Sequence, residues 1–203
     1  ISLSLGSDPG QGMGIETETV TAVQEALDEG IFVIAAAGNT GTDSSDVSVP
    51  ANIEGVIAVG AYRSSGTIWP DSASGSDTAP YTGQSREYPH QKPEIIAPGV
   101  NIFSTASTEL DPPYAYSSGT SDSTVFVTGA LALILEQFGD EIAGEDGKID
   151  SEEMAMVKRA LANSANQESS SVGNHSSRLG YGSLNAMEWA NQLSFQLNIG
   201  LQQ

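Results

Sequence analysis

Ile31-Phe32-Val33-Ile34-Ala35-Ala36-Ala37, running into Gly38-Asn39-Thr40-Gly41, is the stretch on which the fold turns. It is apolar at seven consecutive positions, as a strand covered on both faces should be, and such strands belong to parallel sheets. Just upstream, Val20, Val23, Ala26 and Leu27 recur at helical spacing and predict a helix from about Glu16 to Glu29, with Gly30 as its stop. Before that helix, Ile1–Leu5 reads as a strand and Gly6–Gly14 as a glycine-rich loop. Downstream, Gly55-Val56-Ile57-Ala58-Val59-Gly60-Ala61 repeats the doubly covered signature, and Glu94-Ile95-Ile96 begins a fourth, shorter strand. Strand, helix, strand with right-handed crossovers implies a parallel sheet with helices on its faces. The expected class is α/β, in three layers.

The rest of the chain is read around that sheet. Residues 64–91 are polar and rich in Gly, Ser and Pro, and loops of that length are usually functional or flexible. From Ser121 to about Gln137 a helix is predicted that is apolar on nearly every side, which would place it at the centre of the protein. Two more helices, about Ser151–Asn163 and Leu184–Leu193, close the fold.

Composition narrows the chemistry. The chain has 203 residues, which suggests a single domain, with 26 Asp and Glu against 7 Lys and Arg, a formal charge of −19. Nucleic acid and anionic membranes would repel such a surface, so neither is expected as a partner. With no Cys there is no disulfide framework, thiol nucleophile or Cys-ligated metal. The longest apolar runs, Ile31–Ala37 and Val125–Leu135, fall well short of the roughly 20 residues that span a bilayer. The chain opens on a strand without an initiator Met, which reads as a processed chain or a fragment.

The sharpest chemical signal is the polar first turn of the apolar helix, where Ser117, Ser118, Thr120, Ser121 and Ser123 surround Gly119. A helix cap would employ one of these hydroxyls, not five. A serine at a helix N-terminus also sits where backbone N–H groups stabilise negative charge, the setting an acyl-transfer oxyanion needs. On local sequence alone, cap and nucleophile stand even.

Four blocks in order tip the balance: Ala35–Gly41, Val56–Ala61, Lys92-Pro93-Glu94-Ile95-Ile96-Ala97-Pro98-Gly99-Val100, and Gly119-Thr120-Ser121-Asp122-Ser123-Thr124-Val125-Phe126-Val127-Thr128-Gly129. Together with Ser2-Leu3-Ser4-Leu5-Gly6 at the start and Leu179–Ala186 near the end, they resemble the subtilisin-like serine proteases, the subtilase family, over nearly the whole chain. The resemblance implies the C-terminal portion of one subtilase catalytic domain, spanning 1–203, with the N-terminal part of the fold absent. It implies Ser121 as nucleophile and Asn39 as the oxyanion-hole side chain. It further implies Ser4, Leu5 and Gly6 as the backbone that pairs with an extended substrate, and Ala36, Ala37 and Gly38 as one wall of the specificity pocket. A secreted, extracellular endopeptidase acting on protein or peptide substrates is the expected function, with no cofactor for catalysis. The alternative is a catalytically inactive, protease-derived binding or scaffold module.

A serine hydroxyl needs a base within reach. The family's Asp and His precede the segment that begins here, so the resemblance implies an upstream segment or chain that carries them. His90 and His175 lie in no matching motif and are read as structural or solvent-exposed. Around the nucleophile the chain departs from the family: Val125-Phe126 replaces the usual Pro-His, Thr128 stands where a small residue is usual, and Asp122 places a carboxylate directly after Ser121. A structural calcium ion is expected between two helices, with Asp146, Asp150 and Glu153 as ligands, because Asp146–Glu153 looks like half of a calcium loop. The competing reading makes Asp150 or Ser151 the cap of the next helix. Gly10-Gln11-Gly12-Met13-Gly14 lacks the spacing of a dinucleotide loop, and Asn174-His175-Ser176 is a glycosylation triplet of a kind common by chance.

Overall fold

Four strands run parallel in the order β1 (Ser2–Leu3), β2 (Ile34–Ala36), β3 (Ile57–Tyr62) and β4 (Ile95–Pro98), so spatial order follows chain order. The computed structural model describes residues 1–9, 13–80, 82–144, 147–167 and 174–198. Register places Ser2 beside Ile34, Ala35 beside Ala58 and Val59 beside Ile95. Between β1 and β2 lies α1 (Met13–Asp28). It ends where Gly30 takes φ +77°, with the Ile31 N–H donating back to the Ala26 carbonyl at 2.9 Å. That is the left-handed helix stop read from the glycine.

After β4 the chain forms a hairpin, β5 (Ile102–Thr105) against antiparallel β6 (Tyr114–Ser117). The long helix α2 (Thr120–Ala143) follows, then α3 (Ser151–Ser164) and α4 (Ala186–Gln196). The core lies between the sheet and α2. Ala35, Ala58 and Ala97 on the strands are fully buried, and α2 contributes Val127, Leu131, Ile134, Phe138 and Ile142 to the same cluster. Small strand residues let the helix backbone approach the sheet, while the larger helix residues fill the layer. Trp189 of α4 closes the far side, its indole N–H donating to the Val157 carbonyl of α3 at 3.0 Å.

Several elements depart from the sequence reading. α2 runs six residues past Gln137, because Phe138 and Ile142 continue the buried stripe beyond Gly139 and the acidic pair Asp140-Glu141. Nor is α2 enveloped on all sides. Val125 is 54% exposed, Phe126 42% and Leu133 69%, so one apolar flank stays uncovered by the described residues. The β5–β6 hairpin was not predicted, since its strands are short and largely exposed. The polar segment 64–91 is clamped: Arg86 donates both Nη groups to the Asp46 carboxylate at 2.9 and 2.7 Å, and the pair is buried.

A second buried charge group joins β4 to α3. The Glu94 carboxylate accepts from Lys92 Nζ at 2.8 Å, from Lys158 Nζ at 2.7 Å and from the Ala58 N–H at 2.8 Å. Lys158 Nζ also lies 3.0 Å from His90 Nδ1. Burial pushes Lys92 down to about 7 and lowers Lys158, although Glu94 opposes both shifts. Burial, followed by the Lys158 charge, lowers His90 to about 4. His90 is thus half-buried beside Lys158, with Nδ1 also 3.1 Å from the Glu54 carbonyl.

Candidate active site

In open parallel sheets, ligands bind beyond the carboxyl ends of the strands, and the first turn of α2 sits there. Its hydroxyls divide the anchoring between them. Thr120 reaches the end of β2 through Gly38 and Asn39, Ser121 reaches the residue after β1, and Ser123 Oγ donates to the Ala97 carbonyl of β4 at 3.0 Å. Ser118 Oγ accepts from the Asn101 N–H at 2.9 Å, and Ser117 Oγ donates to Asp122 at 2.9 Å. Thr128, about two turns further along α2, donates to Ser2 Oγ of β1 at 3.0 Å. The cap itself is Gly119, with no side-chain cap bond. Of the first N–H groups of α2, Thr120's donates to Asn39 and Asp122's to the Gly119 carbonyl, while Ser121's has no acceptor among the described residues.

Asn39 is held in one orientation. The Gly38 N–H donates to Thr120 Oγ1 at 3.1 Å, leaving that hydroxyl to donate to Asn39 Oδ1 at 2.9 Å. The Thr120 N–H donates to the same Oδ1 at 3.0 Å. With its oxygen doubly engaged, the carboxamide turns Nδ2 outward, where it meets no acceptor among the described residues. A Cβ built on Gly119 would lie 3.5 Å from Nδ2 of Asn39 and 3.6 Å from the backbone N of Ser121. Two donors with no acceptor among the described residues thus lie close to one point beside Ser121. Gly38 is required for this arrangement: its φ is +108°, and a Cβ there would collide with Ser48 Oγ.

Ser121 Oγ donates to the Ser4 carbonyl at 3.2 Å, and Ser4 Oγ returns a bond to the Ser121 carbonyl at 3.0 Å. Beside this pair opens a cavity of about 360 Å³, lined by Ser4, Leu5, Gly6, Ala36 and Gly38 together with Asn39 and Ser121. Of the residues expected around the cleft, only Ala37 is elsewhere; it is fully buried in the core, on the opposite side of the strand from Ala36. Thr120, Ser48 and Asp8 are site residues that sequence reasoning missed. Thr120 carried a signal, because it is the one hydroxyl next to Ser121 that could reach back to Gly38-Asn39.

No imidazole serves Ser121. His90 belongs to the Lys158 group, and His175 Nε2 lies 2.9 Å from the Pro93 carbonyl with its ring edge-on to Tyr181. At the expected calcium loop, Asp150 accepts from the Glu152 N–H at 2.7 Å while Glu153 accepts from the Asp150 N–H at 3.0 Å, a capping box. These oxygens serve the helix start. Among the described residues no three His, Cys, Asp or Glu gather as for a metal. Asp146 lies outside the described residues, as do Gly10, Gln11 and Gly12.

Comparison with known proteins shows the family and the fold. The sequence matches the Subtilase family over residues 1–182. The chain belongs to that family. It is 38% identical over 155 residues to the serine protease AprX of Bacillus subtilis, covering 69% of this chain and 34% of AprX. To subtilisin DY of Bacillus licheniformis it is 34% identical over 140 residues, covering 68% of this chain and 43% of that protein. The subtilase fold is equally clear in solved structures. The prenylagaramide maturation protease PagA superposes with a TM-score of 0.68 at 29% identity, over 95% of this chain and 61% of PagA. The patellamide maturation protease PatA gives 0.65 at 27%, over 96% and 62%. The chain thus spans about a third to two-fifths of these two curated relatives, and about three-fifths of these two structural neighbours.

Proposed function

We propose that this chain is the part of a secreted serine endopeptidase that carries the nucleophile, Ser121, and the oxyanion hole, Asn39 Nδ2 with the Ser121 N–H. The observation that carries the proposal is that Asn39 Nδ2 and the Ser121 backbone N, neither with an acceptor among the described residues, lie 3.5 and 3.6 Å from one position next to the serine. As Ser121 Oγ attacks a peptide carbonyl, negative charge develops on the carbonyl oxygen, and donors already in place stabilise it without reorganisation. The start of α2 adds the field of its backbone dipoles. Leaving the Ser4 carbonyl frees Oγ for attack and frees that carbonyl to accept from an extended substrate. The cavity edged by Ala36 and Gly38 receives the side chain before the scissile bond.

The base and its orienting carboxylate are proposed to come from a segment outside this sequence. The exposed flank of α2 supports this, since Val125, Phe126 and Leu133 offer an apolar seat next to β1, which pairs only with β2 among the described residues. About two-fifths of each solved neighbour is unmatched by this chain, enough to cover that face.

The test is fluorophosphonate labelling of the full-length protein. Wild type is expected to take the label and Ser121→Ala to lose it completely, with an unchanged thermal midpoint. Label persisting in Ser121→Ala would assign the nucleophile elsewhere, and no label in folded wild type would favour a non-catalytic module.

A further inference from the structure

We infer that Asp122 makes this peptidase select substrates with a lysine or arginine immediately after the scissile bond. The inference rests on the peptidase reading above and deepens it. Asp122 Oδ2 lies 3.7 Å from the Cβ position on Gly119 that also locates the two oxyanion donors. It is held there by Ser117 Oγ of β6, which donates to it at 2.9 Å. Asp122 does not line the cavity of Ser4–Gly6, Ala36 and Gly38, where the acyl side of the substrate lies. It faces the β5–β6 hairpin instead, which on the peptidase reading is the leaving-group side.

A carboxylate in this position opposes the forming oxyanion, because like charges this close repel appreciably unless something neutralises them. None of the described residues does so. Among the described residues, the ion pairs formed by its cations are Arg86 with Asp46, and Lys92 and Lys158 with Glu94, all buried and none with Asp122. Among its described lining residues the cleft offers Asp8 and no Lys or Arg. A cationic side chain on the substrate would pair with Asp122 and cancel the repulsion. Because the repulsion grows as the oxyanion forms, the benefit falls mainly on the transition state and appears in kcat rather than in KM.

The experiment uses the full-length protein and peptides differing only at the residue after the scissile bond: Lys, Arg, Met or Glu. Lys and Arg are expected to exceed Met by about 3- to 10-fold in kcat/KM, carried by kcat, with Glu slowest. The preference should shrink at roughly 1 M NaCl. Asp122→Asn should abolish it and raise the rate on the Met peptide, and Ser117→Ala, which unties the carboxylate, should weaken it. Equal rates for Lys and Met, or a preference that survives Asp122→Asn, overturn the inference while the enzyme still takes its label at Ser121. A protein that neither labels nor cleaves overturns the peptidase reading, and the inference with it.

Discussion

Asn39→Ala in the full-length protein is expected to lower kcat on a peptide substrate by about 10²–10³-fold, or roughly 3–4 kcal/mol, with KM little changed; the size is carried over from subtilisin's own oxyanion-hole amide. The structure explains why the effect should fall on kcat. Oδ1 is held by the Thr120 N–H and hydroxyl, so Nδ2 stays without an acceptor among the described residues, near the Ser121 N, where the proposed oxyanion would form. On the proposed function, ground-state binding would rest on other groups, the Ser4–Gly6 backbone and the cavity wall. A loss below about 3-fold in a folded variant would mean that Asn39 does not reach the reacting oxygen. A rise in KM at constant kcat would make it a binding residue.

Glu94→Gln is the largest expected loss of stability. Glu94 compensates two buried ammonium groups, each of which would otherwise stand unpaired between β4 and α3. Removing its charge is expected to cost about 3–5 kcal/mol, a large part of the total stability of a typical domain. The same group sets the pH response. Lys92 falls from 10.5 to about 7 on folding and His90 from 6.5 to about 4, so over those intervals the unfolded chain binds more protons. Glu94 is also lowered on folding, and its contribution is present above its unfolded value and lost in acid. All three have the same sign, so wild-type stability should climb from about pH 4 through 6.5 and again above 7. Urea midpoints across that range test both statements. A midpoint in Glu94→Gln equivalent to less than about 1 kcal/mol of loss, or a flat wild-type profile, would show that the lysines are hydrated.

The sheet was legible because doubly covered strands leave uninterrupted apolar runs, and Gly30 marked the end of α1. The polar turn leading into α2 was legible as a contrast, five hydroxyls at the entry to a largely apolar helix, but what each hydroxyl does was not. Thr120, Ser123 and Ser118 each bond a different strand end or loop more than fifteen residues away in sequence, and such partners leave no local trace. The end of α2 was misplaced because Gly139-Asp140-Glu141 imitates a stop while Phe138 and Ile142 keep the buried face. Its exposed flank could not be foreseen, since periodicity reports apolarity and not what covers it. Ala36 and Ala37, adjacent and identical in type, part company because alternate strand residues face opposite sides.

The central claim is that the Asn39 amide and the Ser121 N–H serve one oxygen bonded, through carbon, to Ser121 Oγ. A crystal structure of the full-length protein with a peptide aldehyde tests it most directly. The expected result is a hemiacetal on Ser121 whose oxygen lies about 2.7–3.1 Å from both Asn39 Nδ2 and the Ser121 nitrogen. An adduct on another residue, or a Ser121 adduct whose oxygen points away from Asn39, would contradict it.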